Sequence, residues 1–211
     1  MSLDINKIGS DGEKKMQELF ETREDALKFY NNQMLDYLAP LMQEFILSQE
    51  MMFISTADSK GECDSSFRAG EKGFVTILDK NYLLFPEYRG NGVMASMGNI
   101  SENGHIGLLF LDFFETKVGL HVNGRAKVIA KEHLEEALIP FLGTYDILKN
   151  EKDRFKIVSY ILVEVEEAYI HCSIHIPILK RVDEKDYLGK FPKYSKGGDA
   201  FSVVDRKRNW L

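Results

Sequence analysis

A run of short strands between residues 51 and 130 constrains the fold of this chain more than any other feature. Residues 51–57 are mainly apolar or β-branched, turn-forming residues follow at 58–61, and the chain returns over residues 62–68, which is the pattern of a β-hairpin. A second hairpin is predicted over residues 74–85. This hairpin order favours an antiparallel sheet over a parallel sheet built from βαβ units.

The strand predicted over residues 118–128 has the most regular alternation in the chain. Its apolar face carries Val118, Leu120, Val122, Ala126 and Val128, and its polar face carries His121, Asn123, Arg125 and Lys127. This period of two predicts that one face packs against a core and the other meets a polar environment. Gly124 falls on the apolar face, where the missing side chain predicts a β-bulge or a close approach by another group.

Helical patterns flank the strands. Residues 13–49 place apolar side chains at helical spacing with a restart at Pro40, and core packing explains this stripe better than a cofactor site does. Shorter helices are predicted over residues 92–100 and 131–142, and a last strand over residues 157–165. The chain is therefore predicted to be mainly β with flanking helices, as a small closed or split antiparallel barrel with one helix inserted between barrel strands.

One domain is predicted to account for most of the chain. With 211 residues, of which 44% are hydrophobic, the protein can bury one substantial core. Residues 1–14 are predicted to be a flexible leader, and residues 15–186 the barrel domain with its N-terminal helices. Residues 187–211 are predicted to be a C-terminal tail, which is rich in Gly, Lys and Ser and contains the only tryptophan, Trp210.

Charge and cysteine content limit the partners, the compartment and the metal sites that this chain is expected to have. A net charge of −6 and a pI near 5.5 argue against binding to nucleic acid or to an anionic membrane, because both need a basic surface. Two cysteines, Cys63 and Cys172, with no cleavable leader and no apolar run of about 18 residues, predict the reducing cytoplasm. Potential ligands lack metal-binding spacing, so no metal is expected.

The glycine-rich turn after the second hairpin is a candidate binding site. Phe85 ends its strand, Pro86 follows, and Arg89, Asn91 and Gly92 lead into the inserted helix. Unpaired N–H groups at a helix N-terminus, with an arginine beside them, suit a phosphate. The stretch lacks the lysine and Ser/Thr of a nucleotide-hydrolysing loop and the three-glycine spacing of a dinucleotide fold. The alternative explanation is that the glycines serve only to form a tight turn.

Seven blocks of the sequence, in order, resemble the pyridoxamine 5'-phosphate oxidase-like family of FMN-binding split barrels. The blocks are residues 53–58, 65–70, 73–75, 89–91, 96–100, 107–110 and 122–126. The resemblance spans about residues 22–181, and the order of the blocks is more specific than any single block. It implies a six-stranded antiparallel split β-barrel and a homodimer with two FMN molecules at the subunit interface, each held by residues of both chains.

The resemblance also implies which residues hold the cofactor. The FMN phosphate would be bound by Arg68, Arg89, Asn91 and Ser96, and the planar fork of an arginine suits a phosphate. The alternative to a phosphate contact is that Arg68 is an ordinary strand residue whose side chain is exposed to solvent.

The polar face of the strand over residues 118–128 supplies further candidates. His121, Asn123 and Arg125 could hydrogen-bond the isoalloxazine edge or the phosphate, and an ordinary exposed polar face is the alternative. Phe85, Pro86 and Gly92 complete the set of candidate cofactor contacts.

This chain departs from the family pattern in several places. Relatives often carry a basic residue at the start of the inserted helix, where this chain has Gly92 and Val93, and an arginine where it has His121. The arginine-containing C-terminal motif of pyridoxamine phosphate oxidases has no counterpart, so that activity is not expected. His171 and Cys172 either line the flavin or substrate pocket or are packed as ordinary buried residues.

The leading hypothesis from the resemblance is an FMN-dependent oxidoreductase that acts on a small molecule, with NAD(P)H as a candidate electron donor. No catalytic residue is assigned, because the flavin carries its own redox chemistry. One alternative is a protein that stores or senses FMN without turnover, and another is an interaction protein without a cofactor. A related deazaflavin stays an alternative to FMN.

Overall fold

The structure is a computed structural model that describes residues 8–141 and 157–183. The helices in these residues are α1 (Asp11–Leu19), α2 (Arg23–Gln33), α3 (Pro40–Ser48), α4 (Ala95–Glu102) and α5 (Leu134–Leu138), with a 3₁₀ helix at Lys131–His133. The strands are β1 (Met34–Leu35), β2 (Met51–Ala57), β3 (Cys63–Ala69), β4 (Thr76–Ile77), β5 (Tyr82–Tyr88), β6 (His105–Leu111), β7 (Gly119–Ala130) and β8 (Ile157–His171). Two of them, β1 and β4, have two residues each, and the other six have at least seven.

These strands form one antiparallel sheet in the order β3-β2-β6-β7-β8-β5-β4, and β1 also pairs with β8. The sheet with its flanking helices is the predicted split barrel, and both predicted hairpins, β2 with β3 and β4 with β5, are confirmed. The barrel core includes these inward strand side chains, each at most 1% exposed: Met52, Ile54, Leu83, Phe85, Leu108, Phe110, Val122, Ile161 and Val163.

The alternation predicted in β7 is confirmed over most of its length. Leu120, Val122 and Ala126 are buried, and the side chains between them are half-buried or exposed. A bulge shifts the pairing of β7 with β8 between Asn123 and Gly124, as predicted. A Cβ atom on Gly124 would collide with the carbonyl oxygen of Glu164 on β8, which is the physical reason for a glycine there.

Several element boundaries differ from the predictions. Helix α4 begins at Ala95 rather than at residue 92, because Gly92 and Met94 have φ angles of 82° and 58°, in the left-handed region. The helix predicted over residues 131–142 begins as a 3₁₀ turn, and its α-helical part ends at Leu138. The last strand continues past residue 165 to His171, since it pairs with β7 over almost its whole length.

The helices cover three parts of the sheet. Helix α4 contacts β2, β3 and β7, and α5 packs with Leu84 and Tyr160 in a separate apolar cluster. Helices α1 and α2 lie near the end of β8, where Phe29 packs edge to face on Tyr169 with 5.7 Å between ring centroids.

The chain divides into two units, Met1–Ile176 and Pro177–Leu211. All the helices and strands above lie in the first unit, and α1 begins within the residues predicted as a leader. The predicted tail, with Trp210, lies outside the described residues. Over residues 8–141 and 157–183, no helix has the length and apolar character needed to cross a bilayer.

Candidate functional site

A cavity of about 440 Å³ opens where β3, β5 and the start of α4 come together. We call it the split cavity, because β3 and β5 lie on its two sides and share no paired residues in the sheet. Strand β3 explains the gap. Its inward positions carry Asp64, Ser66 and Arg68, so this strand has no apolar inner face with which to complete the barrel.

An ion pair between Arg68 and Glu87 spans the split. Nη2 of Arg68 lies 2.6 Å from Oε1 of Glu87, and Nε donates to the same oxygen at 2.7 Å. Nη1 of Arg68 donates to the Ser66 hydroxyl at 2.7 Å and to the Phe67 carbonyl at 3.0 Å. The Arg68 and Glu87 side chains are 16% and 6% exposed. Burial raises the pKa of Glu87, and the hydrogen bond and charge of Arg68 oppose that rise without cancelling it.

Arg89 brings a second guanidinium to the split cavity. Its side chain is exposed and pairs with no carboxylate in the part of the chain that the structure describes. The Gly92 N–H donates to the Arg89 carbonyl at 2.9 Å, and the Val93 N–H donates to Asn91 Oδ1 at 3.0 Å, so the turn behind Arg89 is closed by its own bonds. Gly90 and Gly92 have positive φ angles, as a turn this tight requires.

The start of α4 forms the remaining wall of the split cavity. Met94, its N-cap residue, makes no side-chain capping bond, so the first N–H groups of the helix have no side-chain acceptor there. Ser96 is 5% exposed, and its hydroxyl donates to Asp64 at 3.2 Å. The cavity therefore combines two guanidinium groups and a helix N-terminus, which attract an anion, with the carboxylates of Asp64 and Glu87, which repel it.

The structure brings together the four residues predicted to hold the phosphate and separates the other candidate cofactor contacts from them. Arg68, Arg89, Asn91 and Ser96 all line the split cavity. Gly92 shapes the turn, and Phe85 and Pro86 are buried, with Phe85 in the barrel core. His121, Asn123 and Arg125 lie on the outer face of β7, where Arg125 pairs with Glu166 at 3.3 Å.

A row of apolar and aromatic side chains crosses the outer face of the sheet. Each member is the cross-strand partner of the next, on β3, β2, β6, β7 and β8 in turn. The members are Phe67, Phe53, Leu109, His121 and Tyr169, and we call these five residues the outer row. Phe53 and Phe67 pack edge to face with 5.6 Å between ring centroids. Phe67 is 51% exposed, and the other four are half-buried. Phe67 also lines the split cavity, so the outer row begins at the edge of that cavity.

Polar groups surround the far end of the outer row. The His121 ring stacks on Tyr169 with 4.8 Å between centroids, and its Nε2 lies 2.8 Å from Nδ1 of His171. Burial, together with the charge of His171, lowers the pKa of His121. Asn123 donates to Glu167 at 3.1 Å and to the Tyr169 hydroxyl at 3.4 Å. This cluster is ordered by its own contacts.

Other sequence candidates lie apart from the split cavity. His171 is half-buried against His121, whereas Cys172 is exposed rather than packed. Asn123 lines a second cavity of about 440 Å³ on the outer face, together with Cys63 and Glu167. Among the described residues, no group of three or more His, Cys, Asp or Glu side chains is arranged to hold a metal ion.

Sequence reasoning missed Glu87 and Asp64. A usable signal was present for Glu87, because the period of two in β5 places it on the same face as Leu83 and Phe85. A carboxylate on such a face needs a cation. Its partner, Arg68, lies 19 positions earlier, and only the folded sheet shows that the two meet.

A family model described as pyridoxamine 5'-phosphate oxidase matches residues 38–172. The matched segment contains the six long strands and α4. The chain belongs to the pyridoxamine 5'-phosphate oxidase family, which confirms the resemblance found in the sequence. No curated protein matches the chain.

Solved structures with similar folds come from several bacteria. HupZ of Group A Streptococcus is 20% identical, with a TM-score of 0.46 over 63% of this chain and 92% of HupZ. An FMN-binding protein of Syntrophomonas wolfei is 13% identical, with a TM-score of 0.42 over 78% of this chain and 99% of that protein. HutZ, the heme storage protein of Vibrio cholerae, is 14% identical, with a TM-score of 0.36 over 63% of this chain and 94% of HutZ.

Proposed function

We propose that this protein is an FMN-dependent oxidoreductase that acts on a small molecule and holds the FMN phosphate in the split cavity. The observation that carries the proposal is the position of Arg89, which has no carboxylate partner in the described chain and lines the same cavity as the start of α4. The cavity also adjoins the aromatic outer row through Phe67. A phosphate beside an aromatic surface suits a ligand that has a phosphate at one end and a flat ring system at the other.

The residues of the split cavity fit a phosphate. Arg89 would supply the main charge, the N–H groups at the start of α4 would donate hydrogen bonds, and Asn91 would keep the turn in shape. The single proton of the Ser96 hydroxyl goes to Asp64, so Ser96 would donate to the phosphate by turning away from Asp64. Arg68 is already engaged by Glu87 and would contribute less than Arg89. Bound FMN would supply the redox chemistry, and the chain would supply binding and orientation.

We further propose that the working form is a homodimer built on the outer face. His121, Asn123 and Arg125 lie on that face, outside the split cavity of their own chain. A symmetric partner that covers the outer row would bury the row and make these residues part of a shared interface. The cofactor site would then contain residues of both chains.

A second function, flavin binding without turnover, is favoured by one observation. Both carboxylates that line the split cavity are engaged, since Asp64 accepts from Ser96 and Glu87 accepts from Arg68. While these bonds hold, neither carboxylate is free to act as an acid or base on a substrate. Anaerobic reduction with NADH or NADPH, followed by reoxidation with candidate acceptors, separates the two functions, because a storage protein would not cycle.

The cytoplasm is the proposed location. Cys63 and Cys172 are both exposed and unpaired. Exposed thiols are stable in a reducing compartment and are prone to oxidation elsewhere.

The phosphate assignment is tested with Arg89→Ala. Loss of one charge-assisted contact should weaken FMN by about ten- to a hundredfold, and riboflavin, which has no phosphate, should change little. Fluorescence titration of both flavins measures this, and Lys60→Ala removes an exposed charge from the β2–β3 turn as a matched control. Equal weakening of both flavins would contradict the assignment. A colourless protein that FMN does not stabilise, or one purified with heme, would contradict the proposed function itself.

A further inference from the structure

We propose that Glu87 competes with the ligand phosphate for Arg68, so that a phosphate-bearing ligand binds together with one proton taken up at Glu87. This inference rests on the proposed function, because it concerns the same cavity. It identifies Glu87 as a residue that sets the pH dependence and the anion preference of the site.

The hydrogen bonds of Arg68 show why a competition is needed. A guanidinium has five N–H groups. Glu87 Oε1 lies within reach of one N–H on Nε and one on Nη2, and Nη1 serves Ser66 and Phe67. Only one N–H, on Nη2, has no acceptor among these contacts. A phosphate that takes two parallel bonds from Arg68 must therefore displace one of these partners.

Glu87 is the partner that a phosphate would displace. The Ser66 hydroxyl and the Phe67 carbonyl belong to the same strand as Arg68 and stay beside it, whereas Glu87 reaches across the split from β5. A dianion in the cavity also repels the Glu87 carboxylate directly, while it does not repel a neutral hydroxyl. Protonation of Glu87 removes that repulsion, and the neutral carboxyl group can give up its bonds to Arg68 without leaving an unpaired buried charge.

The other groups around Glu87 offer no replacement for Arg68. The charged side chains of the cavity are Asp64 and Arg68 on β3 and Glu87 and Arg89 on β5. On the neighbouring strand β8, the residue paired with Glu87 is Ser159, whose hydroxyl contacts the Met97 sulfur of α4. Arg89 is exposed and makes no ion pair with Glu87. Arg68 is thus the cation in this cavity that opposes the rise in the Glu87 pKa.

The direction of the pH dependence follows from this arrangement. Burial already holds the pKa of Glu87 above its ordinary value, and Arg68 opposes that rise. When a phosphate shares Arg68, the opposing contribution weakens and the Glu87 pKa rises further. Ligand binding and proton uptake then favour each other, and the affinity falls as the pH rises from the Glu87 pKa of the ligand-free protein to that of the complex.

The test compares FMN affinity from pH 5.5 to 8.5 in the full chain, in Glu87→Gln and in Asp64→Asn. In the unsubstituted protein, the affinity should fall by up to about tenfold per pH unit through the window in which Glu87 takes up its proton. Glu87→Gln should bind more tightly at pH 8 and lack this component, and its amide oxygen can still accept from Arg68. Asp64→Asn removes a charge from the same cavity and should change the affinity by a similar factor at every pH. The phosphate of free FMN titrates identically in the three experiments, so its contribution from the unbound ligand is common to all of them.

Two additional measurements make every outcome decisive. Calorimetry of FMN binding at each pH of this series, in two buffers of different ionisation enthalpy, counts proton uptake in the unsubstituted protein even if Glu87→Gln does not fold. Sulfate, whose charge is constant over this pH range, probes the anion site without a flavin.

If the affinity of Glu87→Gln changes with pH in parallel with that of the unsubstituted protein, or if no proton is taken up, the inference is wrong while FMN binding still stands. If sulfate stabilises the protein with the expected pH dependence and FMN does not bind, the flavin proposal is wrong and the inference holds. If neither ligand binds, both are wrong.

Discussion

The Arg68–Glu87 ion pair joins two strands that share no paired residues. Strand β5 pairs with β8 over residues 82–88, and Pro86 has no N–H group to offer to a further strand. Strand β3 turns polar side chains inward, so apolar contacts cannot draw it onto β5. A shielded ion pair is the contact that spans the gap, and it leaves the cavity beside it open.

This position makes Arg68 a structural residue as well as a candidate ligand contact. Arg68→Ala would leave the Glu87 carboxylate shielded from water without its cation, and we expect a loss of about 3 to 5 kcal/mol in the free energy of unfolding. The double variant Arg68→Met with Glu87→Leu should recover most of that loss, because no unpaired charge remains. Urea unfolding of both variants measures the difference.

Equal losses in the single and the double variant would contradict this explanation, since the damage would then come from lost packing rather than from an unpaired charge. The same experiment bears on ligand binding. A loss of FMN affinity in Arg68→Ala has to be separated from partial unfolding, which is why Arg89→Ala is the cleaner probe of the phosphate.

At the scale of strands and helices, local patterns predicted most of the sheet. The period of two in β7 predicted its buried face, and Gly124 on that face predicted the bulge, because both depend on neighbouring residues alone. The start of α4 was not predicted, since nothing local shows that Met94 adopts a left-handed conformation. The pairing of Arg68 with Glu87 and the meeting of His121 with His171 depend on strand order, which local patterns do not contain.

The bulge in β7 supports a prediction of its own. Gly124→Ala would place a Cβ atom against the Glu164 carbonyl and force β7 and β8 apart, so we expect a loss of about 1 to 3 kcal/mol or more in the free energy of unfolding. Gly98→Ala is the matched control, because a Cβ there meets open space within α4, and it should stabilise the protein by about 0.5 to 1 kcal/mol. Thermal and urea unfolding report both changes, and a Gly124→Ala variant as stable as its parent would contradict the account of the bulge.

At the scale of the whole molecule, the two faces of the sheet carry different sets of side chains. The inner face is a closed apolar core except along β3, where the split cavity opens. The outer face carries the outer row, whose Tyr169 end packs against α2 through Phe29. A contiguous row of apolar and aromatic side chains that begins beside a candidate ligand cavity is the kind of surface that a partner chain can cover.

The proposed homodimer is tested by Leu109→Glu. Leu109 lies at the centre of the outer row, on the face away from the barrel core, so a carboxylate there should leave the fold intact and prevent two outer faces from packing together. Sedimentation at micromolar concentration should show a dimer for the parent chain and a monomer for Leu109→Glu. Leu41→Glu, at a position 77% exposed on α3, is the matched control and should remain dimeric.

Flavin content is a second measurement on the same variants. Because the proposed FMN site contains residues of both chains, flavin content should fall in Leu109→Glu and not in Leu41→Glu. A parent chain that is monomeric with FMN bound would show that one chain completes the site alone, and the homodimer proposal would then be wrong.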